Sequence, residues 1–534
     1  MEDAGSNPAG LSLTPPQVSR PEPSRLEVPF VYAALRDDLT QWARIRRLTT
    51  DHRAIAEADA YRRAGDWRRA AREQHTDIAI DLDAIARTYG AASAERIEDD
   101  LRHLSVDLLW WHLPRNLAGM NTVLPRVSAV LFPRENAATE PVIRVRLPIA
   151  PFSPQRLRIT AEPVSRMEEE RWFALPRYAW DVREAGKVAR AWGFDSPYAR
   201  EACRLLADGR SADAWRVCGF ELPAGDAVSL DLRPSQPTFP YGLREFAREA
   251  ARAFGADSVA TMHNAYLEIG VGETLTVEQS DRSDWYEVTP RILAQPVPVD
   301  LALLEAGLMK RADLHPLVRE ALYPGVATAP PPPPQPPVAE PVRVRCRGQW
   351  HEVRVADNAL QLTAHDATEI GREDVLKSLG GKPSGCFAVR ETWYTGKGRL
   401  PRALAVRCRE IRDRLMAGDT DWILAGLASG VIDPLMRDST GGSLLHGAMC
   451  GDFDWLAPAL LAAGLDVDTP DRIGRTPLYQ ALMAGAPESV IRQLMAWGAD
   501  PEKETVHEAS VYTAAYRGEP WAEQLIRTLA KERG

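Results

Sequence analysis

Two groups of side chains in the first 300 residues have types that could carry out chemistry. Cys203 or Cys218 could act as a thiol nucleophile, with His263 as its base and Asn264 orienting that base. Both cysteines lie in segments with a helical pattern, where a buried thiol most often only fills the core. The sequence therefore favours packing roles for the two cysteines and predicts no catalytic residue.

The second group is acidic and surrounds a predicted hairpin; its members are Glu268, Glu273, Glu278, Asp281 and Asp284. Carboxylates could bind a divalent cation there, but a solvated sheet edge has the same composition. The ten histidines never occur three or four residues apart, and neither Cys-x-x-Cys nor His-Glu-x-x-His is present. We therefore expect no metal and, in particular, no structural zinc site.

Glycine-rich segments do not match the known phosphate-binding loops. Gly380-Gly-Lys382-Pro-Ser-Gly385 has the wrong spacing, and its proline lacks an N–H group that a phosphate would need. Gly270-Val-Gly272 lacks the third glycine of a dinucleotide-binding turn. These absences predict no cofactor and favour a binding protein over an enzyme.

Composition and charge are those of an ordinary globular protein. Of the 534 residues, 45% are hydrophobic and 26% are charged, and the net charge is −9. No stretch of about 18 apolar residues is present, so we expect no membrane span. Six scattered cysteines indicate reduced thiols, and the excess of arginine over lysine is typical of a GC-rich genome. We expect a cytoplasmic, bacterial protein.

A proline-rich segment marks the main boundary of the chain, since most of residues 330–341 are proline. This composition predicts a stiff polyproline II spacer that separates the parts on either side. We expect a multidomain chain, with a disordered tail at 1–24, an α+β domain of unknown family at 25–325, a Pro-rich linker at 326–341, a small β-rich domain at 342–400 and a helical domain at 402–534.

Hydrophobic patterns give the elements of the two middle domains. In the first, predicted strands cover 128–132, 142–147, 156–161, 259–271, 273–278 and 285–288, and predicted helices lie within 30–120, 176–220, 241–254 and 299–322. This pattern predicts an antiparallel sheet with helices grouped apart from it. In the small domain we expect a hairpin over 342–355, its continuation at 360–362, a helix over 366–379 and a strand over 386–394.

A repeat with a period of 33 residues occupies the C-terminal region. Asp438-Ser-Thr-Gly441-Gly-Ser-Leu-Leu-His446-Gly-Ala448 matches Asp471-Arg-Ile-Gly474-Arg-Thr-Pro-Leu-Tyr479-Gln-Ala481. The Asp-x-x-Gly segments predict tight turns, and Thr-Pro predicts the start of a helix. Weaker matches on both sides extend the pattern to four units.

This repeat resembles the ankyrin repeat, although Ser443-Leu-Leu-His446 and Tyr479 depart from its Thr-Pro-Leu-His core. The resemblance covers about a quarter of the chain. It implies an all-α solenoid in which two clear units lie between two degenerate caps.

The ankyrin resemblance also implies a protein partner, bound by the turn tips and the inner helices. The residues expected to contact it are Asp438, Ser439, Thr440, Met449, Asp471, Arg472, Ile473, Arg475, Leu482 and Met483. Ile473 is the preferred anchor because it is apolar and lies at an expected tip. The region from 401 carries 14 basic and 19 acidic residues, which argues against a nucleic acid partner.

These observations predict an adaptor or scaffold that recruits a protein through its repeats. Three alternatives remain open at the level of sequence. The N-terminal domain could be an enzyme or toxin-like domain that the repeats bring to a target, the repeats could only cover the small domain, or the chain could self-associate.

Overall fold

The protein is a mixed α/β, multidomain chain. Its structure, a computed structural model, describes residues 36–49, 52–117, 121–134, 140–167, 172–194, 196–222, 240–262, 267–279, 291–293, 298–326, 338, 340–507, 509–512, 514 and 520–533. The expected tail at 1–24, the strand at 285–288 and most of the proline-rich linker lie outside these residues. Within them, no helix has the length and apolar character that crossing a bilayer requires.

The N-terminal part is built on one sheet, in which the described strands follow the order β1-β4-β3-β2-β5-β10-β7-β8-β9-β6. The strands are β1 (Thr76–Ile78), β2 (Ser128–Leu131), β3 (Pro141–Arg146), β4 (Leu157–Pro163), β5 (Trp172–Leu175), β6 (Phe220–Glu221), β7 (Ser258–Met262), β8 (Leu267–Val271), β9 (Leu275–Gln279) and β10 (Arg291–Leu293). The sheet contains parallel pairs such as β2–β5 and antiparallel pairs such as β3–β4. The sheet is therefore mixed, and the expectation of an antiparallel sheet was wrong.

Helices cover both faces of this sheet. They are α1 (Arg36–Thr49), α2 (His52–Arg63), α3 (Trp67–Glu73), α4 (Leu82–Tyr89), α5 (Ala91–Arg102), α6 (Val106–His112), α7 (Val188–Ala191), α8 (Pro197–Ala207), α9 (Ser211–Val217), α10 (Pro240–Phe254), α11 (Val299–Glu305) and α12 (Pro316–Leu322). In β2, Ala129 and Leu131 pack with α4–α6, whereas Val130 packs with α8–α10. Because successive strand residues point to opposite faces, this alternation requires three layers. The α+β expectation is corrected to a three-layer arrangement, in which the helices are not grouped apart from the sheet.

Most predicted strands of this part are confirmed within a residue or two, and so is the helix at 241–254. The segment 259–271, predicted as one continuous strand, instead forms β7 and β8, which pair antiparallel.

The small domain contains a three-stranded antiparallel sheet and two helices. Its elements are β11 (Val342–Cys346), β12 (Gln349–Ala356), β13 (Ala359–Leu362), α13 (Ala367–Ser378) and α14 (Gly385–Thr395). The hairpin and the first helix agree with the sequence, but the strand expected at 386–394 was wrong. Cys386, Val389 and Trp393 are buried at helical spacing, so one face of α14 packs on the sheet.

Three pairs of contacting helices and one last helix make up the described C-terminal part. The described helices are α15 (Arg402–Met416), α16 (Thr420–Ala428), α17 (Leu444–Gly447), α18 (Phe453–Ala462), α19 (Pro477–Met483), α20 (Glu488–Ala496) and α21 (Pro520–Arg533). Thr476 caps α19, since its hydroxyl accepts a 3.2 Å hydrogen bond from the Tyr479 N–H. Their cores form one cluster that also contains the small domain.

The N-terminal part contacts the helix pairs through residues 149–155, which we call the docking loop. Ser153 Oγ donates a 2.6 Å hydrogen bond to the carbonyl of Ala484. The Gln155 N–H donates to the Cys450 carbonyl at 3.4 Å, and Phe152 packs against the helical core. The parts before and after the proline-rich segment are therefore in contact, contrary to the separation that the sequence predicted.

Candidate functional site: the repeat tips and a cysteine–histidine cluster

Three turns with the same hydrogen bonds project from the helix pairs. We call them the first tip (438–442), the second tip (471–475) and the third tip (505–507 and 509). In the second tip, Asp471 Oδ1 accepts hydrogen bonds from the N–H groups of Ile473 and Arg475 at 3.0 and 2.9 Å. Asp438 does the same in the first tip, and the hydroxyl of Thr505 takes this role in the third. The turns are therefore rigid, because each is closed by its own side chain.

Neighbouring tips are also bonded to each other. The Arg472 N–H donates to the Thr440 carbonyl at 3.0 Å, and the Val506 N–H donates to the Ile473 carbonyl at 2.9 Å. A Cβ on Gly474, whose φ is +89°, would lie 2.9 Å from the Thr505 Cα. Glycine is therefore needed there both for its left-handed backbone and for the close approach of the next tip.

The structure divides the ten residues predicted to bind a partner into accessible and inaccessible ones. Ser439, Thr440, Arg472 and Ile473 are exposed, and Ile473 is 38% exposed. Met449 and Leu482 are buried in the core and Asp471 is buried in its turn, so their assignment to a partner surface was wrong. The inner-helix face near them carries the docking loop, and Met483 is half-buried against the same core.

Charged tip residues are engaged within the chain. Arg475 pairs with Asp471 at 2.7 Å, and Asp438 lies 3.4 Å from Arg412. Arg472 donates to the carbonyl of Gly396 at 2.6 Å. These groups shape the tips, which leaves the apolar side chains as the more available contacts.

A second apolar tip residue was missed by the sequence analysis. Val506 is 65% exposed and belongs to the tip next to Ile473. Its signal in the sequence was weak because the third tip has Thr505 in place of aspartate and lies 34 residues, not 33, after Asp471.

A cluster of two cysteines and two histidines lies in the small domain. Its members are Cys346, His351, His365 and Cys386, and their potential ligand atoms all lie within 4.8 Å of one another. Cys346 ends β11, His351 lies in β12, His365 precedes α13 and Cys386 lies in the first turn of α14. The sequence predicted no zinc site because no ligands occur close together at the usual spacings, whereas these four residues come from separate elements.

The donor atoms of the cluster point at one another. His351 Nδ1 lies 2.9 Å from His365 Nε2. The Cys346 sulfur is 3.7 Å from His365 Nε2, and the Cys386 sulfur is 3.8 Å from His351 Nδ1. Both cysteines are buried, and so is the His365 side chain.

The protonation of the Cys386 thiol depends on what lies beside it. Burial, and after it the neighbouring Cys346 thiol, raise the pKa of Cys386 to about 12. That sulfur is therefore protonated at neutral pH unless a positive charge lies beside it. A bound metal ion supplies such a charge and deprotonates the thiols that coordinate it.

Of the other sequence candidates, Glu268 and Glu278 lie opposite each other on β8 and β9, but among the described residues they are not part of a group that could hold a metal ion. Cys203 and Cys218 are buried, and burial raises the pKa of each to about 12, which is typical of unreactive core thiols. His263 and Asn264 lie outside the described residues, as do Asp281 and Asp284. Glu268 accepts a 2.7 Å hydrogen bond from Ser258.

No family model matches the chain, and a search of the curated proteins finds no match.

Proposed function

We propose that this chain is a protein-interaction scaffold, whose C-terminal helix pairs form an ankyrin-type array that binds a protein partner at its tips. The observation that carries the proposal is the row of three bonded tips, in which apolar residues are exposed on neighbouring turns. Rigid elements that present side chains in a fixed order bind with little loss of conformational entropy.

Hydrogen bonds that recur along the chain support the array. The Asp452 N–H donates to Thr420 Oγ1 at 2.8 Å, and the Asp500 N–H donates to Asp468 Oδ1 at 3.0 Å, each across 32 residues. Together with the bonds between tips, these contacts join neighbouring segments of successive units. Contact only between neighbouring units is what distinguishes a solenoid from a helical bundle.

Accessibility selects the tips over the inner helices as the binding surface. The docking loop already covers the inner-helix residues Cys450 and Ala484. Ile473 and Val506 are exposed on adjacent tips whose backbones are hydrogen-bonded. We therefore assign these two residues as anchors, each filling an apolar pocket of the partner.

The test is affinity capture from lysate of the native host with three versions of the full chain. One is the unmodified chain, one carries Ile473→Glu and Val506→Glu, and the control carries Trp455→Glu. Trp455 is 70% exposed on α18 and lies outside the tips. Its replacement by glutamate therefore removes an exposed apolar side chain and adds a negative charge, as the tip substitutions do, without changing a tip. Circular dichroism confirms that each version is folded.

We expect the unmodified chain and the control to capture at least one protein. The amount of that protein captured by the tip variant should be about 30-fold lower. Loss of one hot-spot contact costs about 2 kcal/mol or more, which corresponds to that factor. Equal capture by the tip variant would refute the assigned surface. If residues 1–325 alone also capture these proteins, the proposal that the C-terminal array recruits them would be wrong.

A further inference from the structure

We propose that Cys346, His351, His365 and Cys386 bind one Zn²⁺ ion as a closed structural site in the small domain. This inference is independent of any partner that the tips bind. Two thiolates and two imidazoles form a ligand set that zinc takes in structural sites, where all four positions are filled by the protein.

The spacing of the donor atoms is close to that of a tetrahedron. With Zn–S bonds of about 2.3 Å and Zn–N bonds of about 2.0–2.1 Å, ligand atoms of a tetrahedral site lie roughly 3.3–3.8 Å apart. The two sulfur–nitrogen distances of 3.7 and 3.8 Å agree with this range. The nitrogen–nitrogen distance of 2.9 Å is shorter, so zinc binding requires the two imidazoles to separate by roughly half an ångström.

A carboxylate orients one of the histidines for metal binding. Glu369 Oε2 lies 3.0 Å from His365 Nδ1. A proton on Nδ1, donated to this carboxylate, leaves Nε2 with a free electron pair directed at the cluster. Arg347 in turn pairs with Glu369 at 3.1 Å and with Glu373 at 3.0 Å, so the carboxylate is itself held in place.

The backbone is shaped to let the two sulfurs approach each other. Gly385 has a φ of +55°, and a Cβ at this position would lie 2.6 Å from the Cys346 sulfur. Only glycine therefore allows the start of α14 to come this close to the end of β11. On the other side of Cys346, the left-handed residues Arg347 and Gly348 turn the chain toward His351.

The ligands come from both strands of the hairpin, from the turn before α13 and from α14. One ion therefore links these elements, whose buried apolar side chains belong to the core that the small domain shares with the helix pairs. Two thiolates also balance the double positive charge of the ion, so the buried site is neutral.

The donor set favours zinc over other abundant cations. Thiolates exclude magnesium and calcium, which prefer oxygen ligands, and a tetrahedral set of two sulfurs and two nitrogens is typical of zinc. Two metal-free states are the competing explanations for the cluster. One is a hydrogen-bonded group of thiols and imidazoles, and the other is a disulfide between Cys346 and Cys386.

The experiment measures zinc in the full chain, purified under reducing conditions, by elemental mass spectrometry. We expect about one zinc ion per chain, and less than about a tenth of an ion in Cys386→Ser. The matched control is Cys450→Ser, which alters another buried cysteine in the helix pairs and is expected to retain the ion. Glu369→Gln is expected to keep the ion but to bind it about 10- to 100-fold more weakly in competition with a chelator.

A second measurement uses the unmodified chain alone, so it does not depend on whether a variant folds. The metal is removed by a chelator in the presence of reductant and replaced by Co²⁺. We expect the intense ligand-field bands of tetrahedral cobalt together with thiolate-to-cobalt charge transfer. Absence of stoichiometric zinc, a spectrum of octahedral cobalt, or a Cys346–Cys386 disulfide in the reduced preparation would each overturn the proposal.

Discussion

Replacing Asp433 by alanine should loosen the junction between the small domain and the first helix pair. The Asp433 side chain is 1% exposed. Its Oδ2 accepts hydrogen bonds from the Trp393 indole N–H at 2.9 Å and from the Leu360 backbone N–H at 3.1 Å. Its Oδ1 accepts from the Leu435 N–H at 2.9 Å. One carboxylate therefore joins α14, β13 and the segment after α16.

The magnitude follows from the donors that Asp433→Ala leaves without a partner. Trp393 is fully buried, so water does not replace the acceptor that its indole N–H loses, whereas the Leu360 N–H keeps the Tyr394 hydroxyl as an acceptor at 3.2 Å. An unsatisfied buried donor costs about 1–3 kcal/mol, and removal of the buried carboxylate returns part of this. We expect a net loss of about 1–3 kcal/mol in the free energy of local opening.

Hydrogen exchange measured by mass spectrometry tests this prediction. Peptides covering residues 359–362 and 390–395 should exchange at least about fivefold faster in Asp433→Ala than in the unmodified chain, since each 1.4 kcal/mol is a factor of ten. Asp421→Ala, an exposed position on α16, is the matched control and should change exchange little. Equal exchange in the two variants would refute the role assigned to Asp433.

Three further predictions concern other junctions. Gly396→Ala should lower the melting temperature more than Gly464→Ala. Both glycines have positive φ, but of the two only Gly396 would place a Cβ against a backbone oxygen, at 2.3 Å. Equal decreases in melting temperature would contradict this prediction. Ser153→Ala should weaken the docking loop by about 1–3 kcal/mol, seen as faster exchange around Ala484, because two hydrogen bonds of the hydroxyl are lost. Burial lowers the pKa of His446 despite its hydrogen bond to a backbone carbonyl, so the unfolded chain binds the proton more readily. Stability should therefore fall as pH decreases through the ordinary histidine value of 6.5, and less so in His446→Gln, as urea midpoints at about pH 7.5 and 5.5 would show.

Local signals were sufficient for the elements that local chemistry determines. The tips follow from Asp-x-x-Gly, since aspartate accepts from the next N–H groups and glycine takes positive φ at Gly441 and Gly474. The start of α19 follows from Thr476-Pro477 in the same way. The hairpin of β11 and β12 follows from alternation around one glycine.

What the sequence did not reveal depends on contacts between distant segments. The ligands of the proposed zinc site lie on separate elements, so no short ligand motif in the sequence announces them. Segment 386–394 contains aromatic and β-branched residues that suit a strand, but packing of Cys386 and Trp393 on the sheet selects a helix. All four residues of β2 are apolar or small, so the sequence did not indicate which face each one occupies. The structure shows helices on both faces, and successive residues of β2 pack against opposite ones.

The docking loop has a consequence for the order of events during synthesis. Ser153 and its partner Ala484 are 331 positions apart. At about 5–20 residues per second, the ribosome needs roughly 15–65 seconds to make the second half of this contact. During that interval the nascent N-terminal part carries Phe152 uncovered.

A product that stops before Ala484 never covers this loop completely. Premature termination near the end of the chain therefore leaves an apolar surface on a part that was synthesised long before. Loss of the last helix pairs therefore exposes an apolar surface on the N-terminal part. Chaperones and proteases recognise incompletely folded chains by such surfaces.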